Sequence, residues 1–188
     1  MRAFEDYCWR DILTADMALV YSAYERERTV APGPAVLVIH PDDSLVITAQ
    51  ADWANAAQKL VDAARAQGLP VVHSVMAGAK PSAHIKPAPG EAICQRASDS
   101  AFLMSNLEAI LTRAHAKGLI ICGAPMSGAV RATSVEAKSF GHKTAIAEEA
   151  IGDEASLLLK VALFDVAHKY ADVMSLDEML PLVRASSR

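Results

Sequence analysis

From Ala35 onward, hydrophobic positions follow two alternating rhythms: short unbroken apolar runs, and longer stretches in which apolar residues recur every three or four positions. Ala35-Val-Leu-Val-Ile-His40 is such a run, bounded by prolines, as expected of a strand buried on both faces. Trp53 to Gln67 then has helical spacing and closes at Gly68, a residue suited to the left-handed position after a helix. The alternation continues with strands at Pro70 to Met76, Ala92 to Gln95 (the weakest), Leu119 to Cys122, Lys143 to Ala147 and Ala171 to Met174. Helices are predicted at Phe102 to Lys117, Ser127 to Phe140, Glu154 to Tyr170 and Leu176 to Val183. Ala77 to Gly90, rich in Pro, Gly, Ala and Lys, is predicted to be a loop. Strands alternating with helices of this length imply one α/β domain, with a parallel sheet covered on both faces.

Ahead of this lies an extension. Asp11 to Glu27 has helical spacing with Met17, Val20, Tyr21 and Tyr24 on one side, and Thr14 is a candidate cap. The connector Thr29-Val-Ala-Pro-Gly-Pro34 cannot continue a helix. Residues 1–32 therefore read as a helical extension and linker, and 33–188 as the main domain. The apolar stripe must pack either on its own domain or on another subunit.

Composition narrows the function. Charged residues make up 21% and the net charge is −4, with no basic run interleaved with aromatics, so nucleic-acid binding is not expected. Met1 to Arg10 has no apolar core of a signal peptide, and Gly118 to Val130 is too short to span a bilayer. Cys8, Cys94 and Cys122 lack metal or redox spacing and read as reduced thiols of a cytoplasmic protein. No metal or cofactor site is expected: His84 with His40, Asp42 and Asp43 has no ligand spacing in its favour.

In open parallel sheets, ligands bind beyond the carboxyl ends of the central strands. That directs attention to His40 to Ser44, Arg96 to Ser100 and Gly123 to Ala129. There the chain becomes recognisable. Cys122-Gly-Ala-Pro-Met-Ser-Gly-Ala-Val-Arg-Ala-Thr-Ser-Val-Glu-Ala137, with Pro34 to Ile39, Leu69 to Ser74, Ser100-Ala-Phe102, Ala147 to Gly152 and Lys169 to Val173, resembles the isochorismatase-like cysteine hydrolases. Within them it is similar to the branch of N-carbamoylsarcosine and maleamate amidases. The resemblance implies a three-layer α/β/α sandwich with a six-stranded parallel sheet in Rossmann-type order, assembled as a dimer or tetramer.

The resemblance also implies three catalytic positions: an aspartate base after the first strand, a lysine before Ser-Ala-Phe, and a cysteine nucleophile at the helix after the fourth strand. These positions hold His40, Arg96 and Ala129. Alanine cannot attack a carbonyl, and arginine keeps its proton at neutral pH. The family's oxyanion hole draws on the N–H of the residue four before the nucleophile, here Pro125, which has none. The family's cis peptide would fall at Ala124–Pro125, a bond type that tolerates it.

Two functions follow as expectations. One is a non-catalytic homologue that binds a small anionic molecule or serves as a subunit, alone or with an active paralogue. The other is a divergent hydrolase of small amide, ureido or enol-ether acids, with His40 activating water and Asp42 or Asp43 orienting its ring. Arg96 would bind a carboxylate or pair internally with Asp99 or Asp43, and Ser127 and Gly128 would offer helix N–H groups to an anion. Trp53 would line the pocket or the core, Cys122 would be an inert buried thiol or a displaced nucleophile, and His73 would be structural.

Overall fold

The computed structural model describes residues 3, 6–22 and 27–186, with the side chain of residue 22 excepted. Its elements run α1 (Ala15–Ser22), β1 (Ala35–Ile39), α2 (Trp53–Ala66), β2 (Val71–Met76), β3 (Ala92–Arg96), α3 (Leu107–Arg113), β4 (Gly118–Gly123), α4 (Arg131–Ser139), β5 (Lys143–Ile151), α5 (Ser156–Lys169), β6 (Asp172–Met174) and α6 (Leu176–Ala185). The six strands form one parallel sheet in the order β3-β2-β1-β4-β5-β6. The expected architecture is thus present.

The strands read as continuous apolar runs because both sheet faces are covered, and alternate residues feed opposite cores. Leu37, Ile39, Leu119 and Ile121 pack with Leu107, Leu111, Leu163 and Val166 of α3 and α5. Val36, Val38, Ile120 and Cys122 pack with Leu60, Val61 and Met179 of α2 and α6. Burial of this kind contributes about 25 cal/mol per Å² of apolar surface, so the two layers carry most of the stability.

The extension packs on its own domain. Tyr7 and Trp9 stack at 5.0 Å, Trp9 meets Phe164 of α5 edge-on at 6.2 Å, and the Tyr21 hydroxyl donates to the Phe164 carbonyl at 2.8 Å. All three side chains are buried. The helix itself is shorter than the spacing predicts: a turn at Arg10–Ile12 precedes it, and Tyr24 lies outside the described residues. Among the described residues of the predicted stripe, Tyr21 is buried, Met17 half-buried and Val20 exposed.

Two other helices depart from prediction. Phe102 to Asn106 is not helical, because Met104 takes a positive φ of 51° and the Ser105 hydroxyl accepts the Leu107 N–H. At its other end α3 stops at Arg113 rather than running to Lys117, because His115 adopts a left-handed conformation (φ 55°). The predicted helix from Ser127 begins instead as a π-turn, Met126–Val130, which leads into α4. Strand β5 outruns its predicted end by four residues: Cys8 N–H satisfies the Glu148 carboxylate and Leu176 N–H that of Glu149. Among the described residues no helix is long and apolar enough to cross a membrane.

Candidate functional site

The carboxyl ends of β1, β3 and β4 bring together the sequence-predicted positions. His40 follows β1, Arg96 ends β3, and Ala129 lies in the turn after β4. They are 2%, 2% and 1% exposed, so none of the three faces an open cleft.

His40 is held at both ring nitrogens. The Ser82 N–H donates to Nδ1 at 2.9 Å, and Nε2 lies 2.9 Å from His73 Nδ1. An amide can only donate, so Nδ1 carries no proton and Nε2 must be the donor toward His73. His73 in turn donates from Nε2 to Glu91 at 2.9 Å, and Glu91 also accepts from Arg65 Nε (2.8 Å) and the Ala88 N–H (2.7 Å). One backbone amide therefore sets the tautomers of two buried histidines. Burial, then the neighbouring His73 and Arg96 charges, lower the His40 pKa from 6.5 to about 4. Neither Asp42 nor Asp43 orients the ring: Asp42 accepts from Ser44, and Asp43 is exposed.

Arg96 makes no ion pair among the described residues, with Asp99 and Asp43 included. Its Nη1 donates to the Ser74 carbonyl (3.2 Å) and Nη2 to the His40 carbonyl (3.1 Å), tying β3 to the ends of β2 and β1. Burial pulls its pKa down, opposed by the charges of Asp99 and Asp42. Arg96 Nε and the hydroxyls of Ser74 and Ser98 are buried without a hydrogen-bond partner among the described residues.

The turn carrying Ala129 is shaped by Gly123, Pro125 and Asp153. The Ala124–Pro125 peptide is cis, as expected. The Ser127 N–H, predicted to await an anion, is instead taken by Asp153 Oδ2 at 2.6 Å. Asp153 Oδ1 also accepts from the Ser127 hydroxyl (3.2 Å) and the Glu154 N–H (2.7 Å), and its carboxylate is wholly buried. The chain thus supplies its own anion to the helix start. Nothing local in the sequence signals this contact, which spans 26 residues. Asp153→Ala strands these donors and should lower the unfolding free energy by about 2 kcal/mol in urea titrations. A loss under half a kcal/mol would contradict that role.

Trp53 is core, 5% exposed, and packs beside Gly152, where any Cβ would lie 2.6 Å from its Cδ1. His84 meets the Trp53 ring edge-on at 6.4 Å. The Gly128 position would place a Cβ 3.2 Å from Pro125 Cγ, so the turn is closely packed there. Cys122 is fully buried, which pushes its thiol up to about 12 and keeps it from forming a nucleophilic thiolate.

Residues 34–178 match the isochorismatase domain. The chain belongs to the isochorismatase family. It is 36% identical over 101 residues to N-carbamoylsarcosine amidase from an Arthrobacter species, covering 54% of this chain and 38% of the amidase. It is 31% identical over 103 residues to maleamate amidohydrolase from Pseudomonas putida, covering 53% and 47%. The matched stretches thus span less than half of either relative. An isochorismatase family protein from Burkholderia thailandensis superposes with a TM-score of 0.75 at 17% identity, covering 85% of this chain and all of that one. This last likeness is one of fold.

Proposed function

We propose that this isochorismatase-family protein is a non-catalytic member that acts by binding, to a small molecule or as a subunit beside an active paralogue. One observation carries the reading: the side chains at the three family catalytic positions are buried, and their hydrogen bonds are directed inward. Ala129 has no nucleophilic atom, His40 has both nitrogens engaged, and Arg96 donates to strand carbonyls. Pro125 removes an oxyanion-hole N–H, and losing one such donor slows catalysis by about 10²–10³. Self-association as a dimer or tetramer belongs to the same proposal and rests on the resemblance.

The test is hydrolysis of a panel of small amides, ureido acids and enol ethers by the wild type and by His40→Ala. The expected result is no turnover by either. Turnover by the wild type that disappears in His40→Ala would overturn the proposal in favour of water activation by His40.

A further inference from the structure

Arg113, His115 and Lys117 alternate along the segment that leaves α3 and enters β4, and all three line one cleft of about 410 Å³. The other walls are Pro32, Gly33 and Pro70, which immediately precede β1 and β2. The cleft therefore lies at the amino ends of the strands, one strand length, roughly 17–20 Å, from the site described above. Its volume falls within the usual range of small-ligand sites, about 300–1,000 Å³.

Three features set this cleft apart. It is lined by three basic side chains and no acidic one, in a chain whose net charge is −4. None of the three makes a side-chain hydrogen bond or ion pair among the described residues, whereas Arg65 and Arg131 are paired with carboxylates. The third feature is the backbone at His115. Helices α2, α3 and α4 all end in the same double hydrogen-bonded turn. In α2 it closes through Gly68 N–H to Arg65 and Leu69 N–H to Ala64. In α4 it closes through Gly141 N–H to Lys138 and His142 N–H to Ala137. In α3 the bonds are His115 N–H to Thr112 and Ala116 N–H to Leu111. The left-handed residue is glycine in two of these turns and histidine in the third, with φ 65°, 84° and 55° respectively for Gly68, Gly141 and His115. A side chain is disfavoured in that conformation, and such strain concentrates at functional positions. Here it falls on a residue that lines the cleft together with Arg113 and Lys117.

We infer that this cleft binds a small phosphorylated anion. Arg113 offers a planar fork to two phosphoryl oxygens, while Lys117 and His115 add point donors to the remainder. The walls continue into a second cleft of about 430 Å³ that shares Pro70, Arg113 and Ala114, with Leu69, Val72 and Ile110 as apolar lining. The Glu91 carboxylate at its border is bound to Arg65 and His73, so it does not repel the ligand as a free charge would. A phosphomonoester with an apolar portion fits the pair of clefts better than inorganic phosphate. This inference does not depend on whether the carboxyl-end site is catalytic.

The test is calorimetric titration and thermal melting of the full chain with pyrophosphate, a nucleoside monophosphate and citrate, at ionic strength held constant with sodium chloride. Saturable binding of the two phosphates is expected, with Arg113→Gln and Lys117→Gln each weakening it about tenfold. His115→Gly should weaken it too, yet raise the ligand-free Tm by about 2–4 °C, because glycine suits the turn. That opposite pair of effects separates a binding role from a structural one. Phosphate effects no larger than those of chloride, binding unchanged when Arg113→Gln, His115→Gly and Lys117→Gln are combined, or binding of citrate alone would each overturn the inference.

Discussion

Gly123→Ala should not yield a cooperatively folding protein. Gly123 ends β4 at φ 121°, and a Cβ there would sit 2.0 Å from the Ile39 carbonyl oxygen and 2.8–2.9 Å from that residue's backbone carbon and nitrogen. Those atoms belong to the central strand, which is hydrogen-bonded on both sides and cannot recede. The Ala124 N–H donates to the same Ile39 oxygen, so the closeness is part of how the strand ends are joined. A methyl group here combines a forbidden backbone conformation with an overlap that no rotamer relieves, and the loss should exceed about 4 kcal/mol. Gly141→Ala is the control: its φ is 84°, but nothing lies within 4 Å, so only the backbone term of about 1 kcal/mol applies. Soluble yield and thermal melts of the two variants test the difference. A Gly123→Ala protein melting near the wild type would refute the geometry at the end of β4.

Acid should destabilise the protein in two successive, slightly overlapping windows. A histidine whose folded pKa is depressed binds its proton more readily in the unfolded chain, so stability is complete above the unfolded pKa and falls as pH drops toward the folded one. For His40 that window runs from pH 6.5 to about 4, and the expected loss is roughly 3 kcal/mol at 1.36 kcal/mol per pH unit. His73, lowered first by burial, adds in the same direction. Glu91 opens the second window. Burial would raise its pKa, but hydrogen bonds from Arg65, the Ala88 N–H and His73 outweigh that and hold it at about 2. Its contribution is present above pH 4.5 and is lost as pH falls toward 2. Urea unfolding measured from pH 7 to 2 should show both declines, and His40→Gln should make the first shallower while leaving the second. A stability independent of pH between 6.5 and 4 would mean that His40 is not held neutral as described.

Much of this architecture is visible in the sequence because parallel strands buried on both faces leave continuous apolar runs, as in Val36 to Ile39 and Leu119 to Cys122. Gly68 and Gly141 mark two helix ends by their chemistry. The end of α3 carries no such mark, because a histidine occupies the glycine position and the helical spacing runs on to Gly118. The extension of β5 is hidden because Glu148 and Glu149 look like surface residues until distant N–H groups are seen to satisfy them. At the site, the places of His40, Arg96 and Ala129 at the strand ends are legible from the sequence, but the fate of their side chains is not. Arg96 binds backbone carbonyls, which leave no trace in side-chain identity, and Asp153 reaches Ser127 only through the fold. His40 follows β1 two residues beyond Val38, which registers with His73 on the neighbouring strand, so the two rings share one side of the sheet.

The loop between β2 and β3 is fastened over the strand ends at Ser82 by His40, at Lys86 by Arg65 and at Ala88 by Glu91, with Ile85 buried beneath it. An intramolecular donor so placed competes at an effective concentration that a free solute at metabolite levels does not match. A molecule seeking the Nδ1 lone pair of His40 must therefore displace Ser82 and order itself where the chain is ordered already. At the end of β1 the chain's own amide thus holds the lone pair ahead of any weak competitor, so the ring keeps one tautomer whatever the surrounding solution contains.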